Sequence, residues 1–193
     1  MKYYTHEHAG YGGNIKYGLK KARESGAEYM VEIHGDGQYD PLFIPAAIQK
    51  MKEGYDFILG SRFTDFRQAL ADGMPWSRYL ANIGLSFFDR LVLRVPLTEF
   101  HTGFRVYGRR LVESVNLEDT SDDYLFSFEI IVQARFCGLS IGEIPIRCNY
   151  KEEHTSISIK KAAIYSLQTF RILFLYLMAR AGFLSRLFIS SRG

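Results

Sequence analysis

Glu28-Tyr-Met-Val-Glu-Ile-His-Gly-Asp-Gly-Gln-Tyr-Asp-Pro41 opens as an alternating, β-rich run, breaks into a polar loop at His34 and closes on a proline. Side chains of a strand alternate between two faces, so Glu28–Ile33 reads as a strand. Proline is favoured in the first turn of a helix, so Pro41 predicts that a helix follows over Leu42–Gly54. Upstream, Asn14–Ser25 spaces Ile15, Leu19 and Ala22 at helical intervals and ends at Gly26, a residue suited to a helix C-terminus. Downstream, Asp56–Leu59 is a second apolar strand closed by Gly60-Ser61-Arg62. Helix, strand, helix, strand in that order predicts an α/β fold with a parallel sheet. Ligands of such sheets bind at the carboxyl ends of the strands, so the loops His34–Asp40 and Gly60–Arg62 should share one edge and form a site.

Further along, Thr64–Gly73 is polar and reads as a mobile connection. Trp76–Val95 carries an amphipathic helix with Leu80, Ile83, Leu85, Phe88 and Leu91, stopped by Pro96. Phe100–Tyr107 contains Thr102-Gly-Phe-Arg105. Arg109–Ser114 and Phe126–Cys137 read as helices, and Ser140–Cys148, with Pro145 inside it, as an edge strand. No internal repeat is present.

The chain has 193 residues, 47% of them hydrophobic, enough for one domain with a substantial core. A net charge of +3 is too small to mark the chain as a nucleic-acid binder. Cys137 and Cys148 lack zinc-site spacing and read as reduced thiols, which favours a cytoplasmic setting. Met1–Gly10 has no apolar run of the signal-peptide kind. The apolar stretch Ile172–Ala179, flanked by Arg171 and Arg180, is shorter than the ~20 residues of a spanning helix. The tail 159–193 therefore reads as an amphipathic helical segment, lying either on a membrane surface or against the core.

An aspartate in a loop after a buried strand, with an amide oxygen two residues on, suits a hard divalent cation. Asp36 and Gln38 have that spacing and are the candidate ligands for Mg²⁺ or Mn²⁺. So few protein oxygens leave coordination sites to water and phosphates, which implies a diphosphate ligand. The bland alternative is a polar turn in which Asp40 caps the helix at Pro41.

His34-Gly-Asp-Gly-Gln-Tyr-Asp-Pro41 resembles the Asp-X-Asp-Gly-Gln-X-X-Pro signature of the dolichyl-phosphate mannose synthase branch of family 2 glycosyltransferases. Other segments resemble the family's motifs in the same order: Gly10-Tyr-Gly-Gly-Asn14, Gly60-Ser-Arg-Phe63, Thr102-Gly-Phe-Arg105, Phe126-Ser-Phe-Glu129 and Gly142-Glu-Ile-Pro145. The resemblance covers Gly10 to Ser158. It implies a partial GT-A (Rossmann-like) sheet flanked by helices over 1–158, lacking the leading nucleotide-binding strands, followed by the helical tail. It also implies an inverting, metal-dependent transfer from a nucleotide-sugar donor to polyprenyl phosphate or another membrane-associated acceptor, at the cytoplasmic face of a membrane. In that reading Asp36, Arg62 and Arg105 are the catalytic residues. Gly12, Gly13, Asn14, His34, Gln38, Arg78 and Ser156 contact substrate, Ser156 within a loop, Tyr150–Ser158, that closes over the diphosphate.

A lipid phosphate acceptor is already ionised near neutral pH and needs positioning cations rather than a base. A sugar hydroxyl would need a carboxylate, for which Glu99, Asp122 and Asp123 are candidates. The sequence departs from the family pattern at His34, where the signature has Asp, and at the front, where the family's opening motifs do not occur. The alternative expectation is therefore an inactive relative that acts through partner or membrane binding, its exposed sheet edge favouring a homo-oligomer.

Overall fold

The computed structural model describes residues 3–150 and 159–189. Helix α1 (Gly10–Glu24) leads into strand β1 (Tyr29–Glu32), a 3₁₀ turn (Pro41–Phe43) and helix α2 (Ile44–Lys52). Strand β2 (Phe57–Ser61), helix α3 (Phe66–Ala71) and the long helix α4 (Trp76–Leu93) follow. Strand β3 (Arg105–Gly108), helices α5 (Arg109–Ser114) and α6 (Phe126–Phe136), strand β4 (Ile141–Pro145) and helix α7 (Ile159–Arg180) complete the order, with a last 3₁₀ turn at Arg186–Phe188.

The sheet is mixed, not parallel. Its order is β1-β3-β2-β4. β3 lies antiparallel to both β1 and β2, and β4 lies parallel to β2. β1 and β2 still point the same way, because each is antiparallel to the strand between them. The carboxyl ends of β1, β2 and β4 and the amino end of β3 consequently meet at one edge. That edge carries His34–Asp40, Gly60–Arg62 and Thr102–Arg105, so the expected co-location of the loops holds although the connectivity differs. Pairing between strands far apart in sequence sets this order, and local periodicity carries no record of it.

Both faces of the sheet are covered. Along β2, Phe57 and Leu59 join a core formed with Leu19, Tyr107 and helices α5, α6 and α7, while Ile58 joins a second core with Ala47, Met51, Val106 and Ile146. Burial of each such side chain contributes about 1.5–3 kcal/mol, which explains why this strand opens on the apolar run Phe57–Leu59. α6 is buried almost all round, whereas α7 lends Ile172, Leu173, Tyr176 and Ala179 to the first core.

The remainder of α7 is exposed: Ile164, Leu167, Phe170, Phe174 and Leu177 form a stripe on its outer side. This stripe continues onto α4 through the Phe88–Phe170 ring pair (5.6 Å) and exposed Phe87 and Leu91. The Lys160–Arg180 helix is long and apolar enough by length and composition to cross a membrane, which the short apolar stretch in the sequence did not suggest. Thr64–Gly73, expected as a mobile connection, contains α3, capped by the Asp65 carboxylate, which accepts from Arg67 N–H at 2.9 Å. Asp40 caps the Pro41 turn as expected, accepting from Leu42 N–H at 2.9 Å.

Candidate functional site

Four segments are tied together at the sheet edge. The Tyr39 hydroxyl accepts from Gly103 N–H at 3.1 Å, joining the loop after β1 to the segment before β3. Asn149 N–H donates to the Gln38 carbonyl at 3.1 Å, and Tyr39 forms a β-bridge with Cys148, which brings the chain beyond β4 onto the same loop. Arg62 closes the fourth side, its Nη1 donating to the Tyr150 hydroxyl at 2.7 Å.

Arg62 and Arg105 are interior residues. Arg62 Nε donates to Glu99 Oε1 at 2.8 Å, its backbone N–H donates to Oε2 at 2.7 Å, and its Nη2 also contacts Oε1. Burial alone would lower the Arg62 guanidinium, but the adjoining Glu99 carboxylate reverses this and holds it well above its usual range. Arg105 directs Nε to the Thr102 carbonyl (3.0 Å), Nη2 to Phe100 (3.3 Å) and Nη1 to Ser127. A planar fork of fixed donors can satisfy carbonyls in three directions at once, which an ammonium cannot. Arg105 thus fastens Phe100–Thr102 to the first turn of α6. Both side chains hold the frame of the site, and neither guanidinium is exposed.

His34 sits deeper than its loop position suggests. Its Nε2 lies 3.2 Å from the Tyr11 hydroxyl and 3.9 Å from Glu32 Oε1, and its ring meets that of Tyr39 edge-on. Glu32 accepts from Tyr11 at 2.6 Å and also from the Tyr107 hydroxyl. Burial first, and then the Glu32 charge, push both hydroxyls up, so each keeps its proton. A side chain on Gly103 would overlap the His34 ring, so glycine at that position makes room for the imidazole.

Asp36 and Gln38 are presented differently. Asp36 is exposed, and one of its carboxylate oxygens accepts from Gln38 N–H at 3.0 Å. Arg78 lies 5.4 Å from the centre of the Tyr150 ring, above its face, beside the Arg62 pair. Among the described residues no group of three or more His, Cys, Asp or Glu could hold a metal ion by itself. The donor set at the edge fits a cation that takes one or two protein ligands and completes its shell with water and phosphate.

Gly12 and Gly13 direct their N–H groups to the Asp122 carbonyl at 2.8 and 3.2 Å, so in this structure they dock α1 against the 121–126 segment. A Cβ on Gly12 would overlap the Ser121 carbonyl, which explains the residue type. The Asn14 side chain accepts from Ala9 N–H at 3.4 Å. Ser156 lies outside the described residues. Of the candidate bases, Glu99 is committed to Arg62, and the Asp122 carboxylate pairs with Lys16 at 2.7 Å. Tyr11, Glu32, Tyr39 and Tyr107 were not singled out by the sequence as site residues, whereas Tyr150 lies at the start of the loop it did mark. Glu32 was legible as a carboxylate within a strand of a sheet covered on both faces, a position that demands partners.

Residues 1–115 match the model of glycosyl transferase family 2, and the chain belongs to that family. A UDP-N-acetylglucosamine–dolichyl-phosphate N-acetylglucosaminyltransferase of Methanococcus voltae is 30% identical over 147 residues, which span 76% of this chain and 58% of the relative. A polyprenol monophosphomannose synthase of Mycolicibacterium smegmatis is 26% identical over 145 residues, spanning 75% of this chain and 52% of that protein. This chain therefore covers little more than half the length of either relative. Glucosyl-3-phosphoglycerate synthase from Mycobacterium tuberculosis in complex with UDP superposes with a TM-score of 0.59 at 17% identity, over 92% of this chain and 57% of that one. Its complex with Mn²⁺, UDP and phosphoglyceric acid gives 0.57 at 15% identity, over 92% and 56%. This likeness establishes the GT-A fold of the described sheet and helices.

Proposed function

We propose that this family 2 glycosyltransferase transfers a sugar from a nucleotide-sugar donor to polyprenyl phosphate or a closely related membrane acceptor, with inversion and with help from a divalent cation. The observation that carries the reading is the convergence of His34–Gln38, Gly60–Arg62, Thr102–Arg105 and Cys148–Tyr150 at one edge of the sheet. Support for the substrate class comes from the relatives, whose names specify dolichyl-phosphate and polyprenol acceptors.

Asp36 and Gln38 would hold the cation, which supplies positive charge to offset a departing diphosphate. Asp36 suits the task because its carboxylate is exposed at the loop tip. The proposed roles of Arg62 and Arg105 are positioning ones: the first fixes Glu99 and Tyr150, and the second fixes Phe100–Thr102, so that the edge is preorganised. Arg78, on the Tyr150 ring near the start of α4, is the cation best placed to orient an anionic acceptor. Such an acceptor attacks as an ionised phosphate oxygen, so the site needs no dedicated base, in keeping with the commitment of Glu99 to Arg62.

The exposed stripe on α4 and α7 is the surface we assign to the membrane. Exposed Arg90, Arg94, Lys160, Lys161, Arg171 and Arg180 lie on the same two helices or at their ends, as suits an anionic headgroup layer. Among the described residues neither Cys137 nor Cys148 forms a disulfide, in keeping with the proposed cytoplasmic side. The test is incorporation of radiolabelled sugar from UDP- and GDP-sugars into polyprenyl phosphate in anionic vesicles, with Mg²⁺ or Mn²⁺ and the full chain. Metal-dependent transfer that disappears in Asp36→Ala is expected; absence of transfer with every donor would refute the proposed activity.

A further inference from the structure

The hydrogen-bond partners of Tyr11 fix the proton on His34. The Tyr11 hydroxyl has a single hydrogen, and its shortest contact, 2.6 Å to Glu32 Oε1, takes it, since an ionised carboxylate can only accept. Ser127 Oγ donates to the same phenol oxygen at 3.3 Å, and His34 Nε2 lies 3.2 Å from it. With its hydrogen given to Glu32, the Tyr11 oxygen can only accept from the imidazole. His34 Nε2 therefore carries the hydrogen, and in the neutral ring Nδ1 bears the lone pair.

The ring is also held in place by its surroundings. Its Cε1 and Nε2 atoms face Gly103, where an added Cβ would overlap them, so the glycine lets this edge of the ring approach the backbone. The His34 side chain is 30% exposed, and among the described residues no hydrogen bond engages Nδ1. An imidazole anchored through one N–H by a hydrogen-bonded carboxylate, with the other nitrogen open, is the arrangement that metal-ligating histidines adopt. Here the anchoring passes through one intervening phenol, Tyr11.

We propose that His34 ligates the divalent cation through Nδ1 beside Asp36, so that this site favours cations that accept nitrogen over Mg²⁺. The inference rests on the proposed function, which brings a cation to this loop, and it adds the identity of a ligand and its effect on metal choice. Mg²⁺ prefers an all-oxygen shell, whereas Mn²⁺ and the later first-row ions accept imidazole with rising affinity along the series. The expected order for the full chain with UDP is therefore Co²⁺ tighter than Mn²⁺, and Mn²⁺ tighter than Mg²⁺.

Electron spin-echo spectroscopy of Mn²⁺ bound to the full chain with UDP reads the ligand without any turnover. Modulation from a directly coordinated ¹⁴N is expected in the parent chain and should vanish in His34→Asp, which should also narrow the Mn²⁺-to-Mg²⁺ affinity ratio in calorimetric titrations. Tyr11→Phe should retain the nitrogen signal while weakening Mn²⁺ binding by about tenfold, the usual cost of losing an outer hydrogen bond to a ligating histidine. Bound Mn²⁺ that needs Asp36 but shows no ¹⁴N coupling overturns the His34 assignment alone. Failure of the parent chain to bind Mn²⁺ with UDP overturns both this assignment and the metal-dependent reading of the site.

Discussion

Arg62 and Asp36 stand in neighbouring loops of one sheet edge, yet one is enclosed and the other exposed. Every polar atom of the Arg62 guanidinium faces a named partner: Glu99, the Tyr150 hydroxyl or the His101 carbonyl. Asp36 gives one oxygen to a backbone N–H of its own loop. The contrast separates motif residues that build the edge from motif residues that are offered to a ligand. Both kinds carry charge in a recurring pattern, and only burial and partners tell them apart.

The comparison can be broken at four points, of falling effect on stability. Arg62→Ala leaves Glu99 buried without its cation and should destabilise the fold by about 3–5 kcal/mol in urea titrations. A loss under 1 kcal/mol would mean that the pair is not part of the frame. Gly103→Ala forces a methyl group against the His34 ring and should cost about 1–3 kcal/mol, with an accompanying shift of the His34 ring resonances in NMR spectra. Asp40→Ala removes the cap on Leu42 N–H and should lower stability by about 0.5–2 kcal/mol without altering affinity for Mn²⁺ and UDP. Asp36→Ala should leave Tm unchanged by calorimetry and abolish metal-dependent UDP binding. A fall in Tm comparable to that of Arg62→Ala would erase the distinction between the two loops.

The features that were legible in the sequence are those written locally. Alternation marked β1, Pro41 marked the start of the following helical segment, and the loops after β1 and β2 announced a shared edge. β3 was not legible as an antiparallel strand between them. Arg105-Val-Tyr-Gly108 is short and begins with a charge, so its pattern names no element, and the carbonyls of Phe100, Thr102 and Ser127 that satisfy the charge come together only in the fold. In the site, Asp36 and Gln38 followed from spacing, while the Tyr11–Glu32–His34 cluster depends on α1 and β1 meeting in space. The exposed face of α4 and α7 was half legible. The helical period was plain, but which side the core would take depended on where α6 packs.

The position of β3 also bears on how the chain acquires its shape. β1 and β2 are both made before β3, but neither pairs with the other; each waits for Arg105–Gly108, with Tyr29 finding Gly108 and Phe57 finding Tyr107. Joining these two strands therefore requires contacts between distant parts of the chain, the kind that slow folding and expose a nascent chain to aggregation. Synthesis through Gly108 is thus the earliest moment at which β1 and β2 can be joined through β3, and a pause before that codon would prolong the time for which they stay apart.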